Sequence, residues 1–278
     1  MTRLLTRAGL VLLATLTVAY LILPVLVVIP MSFADSAFLT FPPKAFSTRW
    51  YRQLLDDPTW LASALVSLRV AVLSTICAVT LGVLAALGLV RGRYPLRGPI
   101  TALLLAPIIV PYVIIGLAVY IVFLKLGLTE TTLGFVLVHT ALAVPYVTIN
   151  VASGLVGFDR GLERAAQSLG SGPVSTFFRI TFPNIAASVF AGALFAFITS
   201  WDEVVSAIFL SGPQMTTLPV RIWSGVKVSV DPSVAAISGL TLFVIIGSFV
   251  LFGAMKLTRK AVRAFKYRDS VTVIGELP

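Results

Sequence analysis

The sequence predicts an all-α polytopic membrane protein, one helical domain crossing the bilayer six times. Three observations predict it. Of 278 residues 58% are hydrophobic and only 12% charged; the apolar residues fall in long blocks; and the basic residues collect between alternate blocks. A soluble chain of this length needs more polar surface than such a composition supplies. Long blocks, rather than short alternating segments, argue against an outer-membrane barrel.

Six blocks suffice to span about 30 Å of hydrocarbon at about 1.5 Å per helical residue. They are residues 9–29, 61–90, 100–124, 132–156, 185–210 and 234–257. The second is long enough to tilt or to extend past the lipid. Arg3 and Arg7 before the first block resemble the start of a secretory signal. Its length and the lack of a clear cleavage site favour a retained helix.

A formal charge of +10 would suggest nucleic acid if it formed a patch on a soluble domain. Here the basic residues lie mainly between spans, where they set orientation. Arg3, Arg7, Arg91, Arg93, Arg97, Arg160, Arg164, Arg179 and six Lys or Arg from Lys256 to Arg268 fall on one side, fourteen of 21 in all. Lys44, Arg49, Arg52, Lys125, Arg221 and Lys227 fall on the other, and Arg69 is inside a span. Both termini are therefore expected in the cytoplasm, with residues 258–278 a basic tail that can meet anionic lipid.

The outward segment 31–60 reads as a surface or covering element. Residues 220–228 read as a short interfacial element with Trp223 at headgroup depth. Cys77, the only cysteine, reads as a small packed side chain that forms no internal disulfide. Pro107, Pro111 and Pro145 interrupt spans and can kink them. No metal-ligand spacing and no glycine-rich nucleotide loop is present, so ATP chemistry would have to come from a partner.

The least generic stretch is the cytoplasmic connection 158–183. Leu162, Ala165, Ala166 and Leu169 make one apolar helical face, while Glu163, Arg164 and Gln167 point elsewhere. Gly170 permits a sharp exit, and Pro173 can start a second short helix anchored by Phe177, Phe178 and Ile180. This is either a knob for a socket on a cytoplasmic protein or an interfacial helix pair joining two spans.

Arg164-Ala165-Ala166, then Gly170, then Ile180-Thr181-Phe182-Pro183, resembles the EAA loop of binding-protein-dependent ABC transporter permeases. Arg164 stands where that pattern has Glu, with Glu163 adjacent, and Phe182 stands for Leu. The resemblance implies a six-span type I importer permease whose cytoplasmic loop carries a coupling helix. Ala165, Ala166 and Gly170 would dock an ATP-binding subunit, flanked by Glu163 and Arg164. It further implies a second permease chain, different but related, two ATP-binding subunits holding ATP and Mg, and an extracytoplasmic solute-binding protein. The expected location is the bacterial cytoplasmic (inner) membrane. ATP binding would draw the docked helices together and hydrolysis would reset them, with no cofactor and no reaction chemistry on this chain.

Charged groups within spans are costly unless paired or wet, so each is a site candidate. Asp202 and Glu203 can attract a cationic solute, with Trp201, Tyr112 and Tyr146 along its apolar stem. The same carboxylates can instead pair internally, for example with Arg69. His139 reads as a packing or hydrogen-bonding residue. His139-Thr140, Pro145-Tyr146, Trp201-Asp202-Glu203 and Thr216-Thr217-Leu218-Pro219 are similar to the spermidine/putrescine-type (PotC-like) branch, which implies a polyamine solute. Related branches carry iron, sulfate or other small organic ions. Hydropathy alone also fits a channel or secondary transporter. A membrane enzyme using Asp202, Glu203 and His139 lacks a nucleophile, metal shell or triad.

Overall fold

The computed structural model describes residues 2–36, 41–228 and 232–247. Among the described residues twelve α-helices follow one another: α1 Thr2–Ser32, α2 Arg49–Asp56, α3 Pro58–Arg91, α4 Arg97–Ile109, α5 Tyr112–Leu126, α6 Thr132–Val156, α7 Gly161–Ser168, α8 Pro173–Thr176, α9 Phe182–Trp201, α10 Val205–Leu210, α11 Leu218–Val228 and α12 Pro232–Gly247. A π-helical turn, Phe177–Thr181, joins α8 to α9. Two compact units result, one of residues 1–57 with 225–278, the other of residues 58–224.

In the first unit α1 is apolar on every face, and none of its most apolar window is buried. The chain leaves α1 and folds back: Asp35 N–H donates to Ala45 at 3.0 Å and Ser47 N–H to Phe33 at 2.7 Å. Trp50 Nε1 donates to the Ala34 carbonyl at 3.0 Å, and the Tyr51 hydroxyl to Ser32 Oγ at 2.7 Å. Of the 31–60 segment, residues 31–36 and 41–57 thus form a short folded element around α2.

In the second unit α6 is the central helix, packed on α3 and α9, which also pack on each other. Its most apolar window is 61% buried, against 39% for α3. The Thr131 hydroxyl starts α6 by accepting from Gly134 N–H at 3.0 Å, an N-cap bond that satisfies an otherwise orphan donor. Close approach depends on small residues. A Cβ on Gly82 of α3 would lie 2.6 Å from Val147 Cβ of α6, and one on Gly192 of α9 would lie 3.0 Å from Val147 Cα.

Four helical segments are long and apolar enough to cross a membrane: residues 9–32, 58–91, 132–156 and 173–201. The third sequence block is a broken span instead, α4 and α5 bent by 102°. Counting that pair as one crossing gives up to five among the described residues. The sixth block is described only to Gly247, in α12, and residues 248–257 and the basic tail lie outside the described residues.

Several expectations change. The break in the third block falls at Val110-Pro111 because proline drives the preceding residue out of the helical region, and Val110 has ψ 131°. Pro107 and Pro145, by contrast, lie inside continuous helices. The fifth block ends its long helix at Trp201 and resumes as α10, so Asp202 and Glu203 occupy a break. Cys77 is exposed rather than packed. Hydrophobicity alone does not tell the bundle face of α3 from its outer face; small residues mark the buried one, with Ser67, Ala71, Ser74, Ala78, Gly82 and Ala86 spaced three or four apart.

Candidate functional site

Two polar arrangements stand out in the second unit. The first lies at the break after α9. Glu203 is 5% exposed, and its carboxylate accepts from Ser206 N–H at 2.9 Å, the Ser206 hydroxyl at 2.8 Å and Ala207 N–H at 3.0 Å. Those bonds satisfy the first turn of α10, which explains how an acid is tolerated there.

His139 of α6 is 1% exposed. Its Nδ1 lies 2.8 Å from Ser200 Oγ at the end of α9. Its Nε2 has no hydrogen-bond partner among the described residues and lies 4.0 Å from Glu203 Oε2. Two turns along the same face of α6, Tyr146 meets Tyr112 at the start of α5, and Glu203 is close enough to act on Tyr112 electrostatically. The structure therefore brings together Tyr112, Tyr146, His139 and Glu203.

Asp202 and Trp201 do not join this cluster in the same way. Asp202 is exposed, and among the described residues no basic side chain pairs with it. Trp201 is half-buried and stacks on Phe197, ring centroids 5.9 Å apart at 15°. Arg69 is exposed on α3, and the internal pair of Arg69 with Asp202 or Glu203 is not formed. Sequence reasoning missed Ser200 and Ser206, which carry no signal beyond being small polar residues beside a charged pair.

The second arrangement is the 158–183 connection. Glu163 is the buried residue of α7 and turns inward. Its Oε1 accepts from Arg91 Nη2, the last residue of α3, at 2.6 Å and also from the Thr181 hydroxyl. Arg164 and Ala165 are exposed, Ala166 is half-buried, and Leu162 and Leu169 present apolar side chains outward. Gly170, at φ +87°, ends the helix. Gly170 N–H bonds to the Gln167 carbonyl at 2.9 Å and Ser171 N–H to that of Ala166 at 3.0 Å, the paired bonds of a Schellman cap. Only glycine adopts this φ without a steric cost.

Membrane-length apolar helices, interrupted by an exposed amphipathic helix between two of them, define an all-α, multi-pass membrane protein. A family model described as the binding-protein-dependent transport system inner membrane component matches residues 78–264, and the chain belongs to that family. It is a permease component of an ABC-type importer, a transporter and not an enzyme, related to Pot-type polyamine permeases.

Similar relatives include the putrescine transport system permease protein PotI of Escherichia coli, 35% identical over 230 residues, 80% of this chain and 82% of the relative. The spermidine/putrescine transport system permease protein PotC of Haemophilus influenzae is 30% identical over 243 residues, 87% of this chain and 93% of its own. Among solved structures, a bacterial ABC transporter involved in the import of the acidic polysaccharide alginate matches with a TM-score of 0.67. It covers 91% of this chain and 96% of that one at 15% identity, a likeness of fold. Membership of this family implies a multi-subunit importer.

Proposed function

We propose that the chain is the permease subunit of an ATP-driven importer for putrescine, spermidine or a related organic cation. The observation that carries this reading is the match, over 80% of the chain or more, to permeases named for putrescine and spermidine. The buried cluster agrees with it in chemistry. A carboxylate beside aromatic rings suits an ammonium group, because charge attraction and cation–π contact add when water is excluded. Asp202, exposed at the same break, and Trp201 beside it extend the candidate path.

In this reading six spans place both termini in the cytoplasm of a bacterial inner membrane. The exposed face of α7, with Arg164, Ala165, Ala166 and Gly170, docks one of two ATP-binding subunits. Its apolar members Leu162 and Leu169, 48% and 89% exposed, give that face something to bury. A second permease chain completes the pathway, and an extracytoplasmic binding protein delivers the solute. ATP binding favours one state of the pair and hydrolysis restores the other, so transport is a population shift powered by the partner.

The test is reconstitution of this chain with its partner permease, ATP-binding subunits and binding protein in vesicles. Uptake of labelled putrescine or spermidine that requires ATP is the expected result. ATP-dependent uptake of an anion or sugar in preference to both amines overturns the solute, and uptake without the ATP-binding subunits overturns the coupling.

A further inference from the structure

The apolar face of α7 is turned outward, so apolar burial does not hold this helix to its own chain. Its attachment is polar. Glu163, the one buried residue of α7 and 7% exposed, joins three pieces of the fold at a single oxygen. Arg91 closes α3, a helix packed on both α6 and α9. Thr181 closes the π-turn that runs directly into α9. We infer that Glu163 is a positioning residue for force transmission rather than a docking contact: it ties α7 to the cytoplasmic ends of α3 and α9, so that displacement of α7 moves both.

The physical argument lies in the kind of bond. A charge-assisted hydrogen bond of 2.6 Å is short and directional, and a partly buried pair is weakly screened. It therefore resists sliding and rotation, whereas small apolar contacts on an eight-residue helix tolerate both. Arg91 has 24% of its side chain exposed and Glu163 only 10%, so the acid is enclosed and the cation reaches in from the rim. Loss of the tie leaves the outward face of α7 in place but loosens its link to the spans.

This inference rests on the reading that α7 docks an ATP-binding subunit, and the experiment separates the two. The assembled importer is prepared with wild-type chain, Glu163→Gln, Arg91→Gln and the exchange Glu163→Arg with Arg91→Glu. Three quantities are read: co-purification of the ATP-binding subunits, ATP hydrolysis, and solute uptake. Wild-type chain that fails to retain the ATP-binding subunits overturns the docking reading itself. If the tie transmits motion, both single variants retain the subunits and hydrolyse ATP, while solute moved per ATP falls roughly three- to thirtyfold. The exchanged pair recovers part of that ratio.

An unchanged ratio in Glu163→Gln overturns the tie. Loss of the ATP-binding subunits from an otherwise intact Glu163→Gln permease overturns it too, since that is the signature of a contact residue. Should Glu163→Gln fail to assemble, Thr181→Val removes one bond to the same oxygen and keeps the ion pair. A lowered ratio in Thr181→Val supports transmission. An unchanged ratio, or uptake and hydrolysis falling together with the amount of protein in the membrane, overturns it.

Discussion

Glu203 is held inside an apolar surrounding by the backbone that follows it. Both of its oxygens accept bonds from the first turn of α10, and no cation is needed to explain its burial. Glu203→Gln replaces one acceptor oxygen by an amide that faces donors from Ser206 and Ala207, leaving a buried donor unmatched. A loss of about 1–3 kcal/mol of stability is expected, read as lowered thermal unfolding of the purified permease. Asp202→Asn, one residue away and exposed, is expected to leave unfolding unchanged and to alter amine selectivity in the uptake assay. A shift in unfolding with Asp202→Asn and none with Glu203→Gln would reverse the roles given to the two acids. The sequence marks both as costly in a span. It does not show that both lie in a break, because residues 201–210 read as uninterrupted apolar helix around them.

At the scale of elements, packing turns on glycines that let helices touch. Gly82 and Gly192 flank Val147 from two sides, whereas Gly88, six residues along α3 from Gly82, has nothing within 4 Å of an added Cβ. Gly82→Ala is therefore expected to cost about 1–3 kcal/mol through displacement of α3 from α6, while Gly88→Ala stays near neutral. Equal unfolding temperatures for the two variants would contradict that packing. Gly170 acts through conformation instead, since a Cβ there meets open space but φ is +87°. Gly170→Ala should strain the cap of α7 by about 1–2 kcal/mol and weaken retention of the ATP-binding subunits. Gly172→Ala, at φ −69°, should not. Retention unaffected by either change would separate the cap from docking. Much of this loop was legible, because polar and apolar residues alternate with helical period and Gly170 and Pro173 punctuate it. The inward turn of Glu163 was not. It depends on Arg91, 72 positions earlier, and on a π-turn that shifts the helical phase by about 100° with no proline or glycine inside it.

At the scale of the whole molecule, apolar surface left bare by each unit must meet lipid or another subunit. The helix α1 and the outer faces of α3, α4 and α5 carry Leu, Ile and Val side chains at 40–79% exposure, too much for water. Span number was the least legible feature, since block length counts the third block as one crossing while Pro111 bends it by 102°. Orientation is open to a direct test on either side of α9. This helix runs from the π-turn that ends the α7 loop to the break before α10, and its 20 residues extend about 30 Å, the depth of the hydrocarbon. Arg164 and Gln214 are both exposed and lie beyond its opposite ends. In a Cys77→Ser background, Arg164→Cys should react with a membrane-impermeant maleimide only from the cytoplasmic face, and Gln214→Cys only from outside. The basic residues around α7 predict that sense, because Arg160, Arg164 and Arg179 resist translocation. Labelling of position 164 in intact cells, or of both positions from one side, would remove α9 as a crossing in this direction and take α7 out of reach of any cytoplasmic ATP-binding subunit.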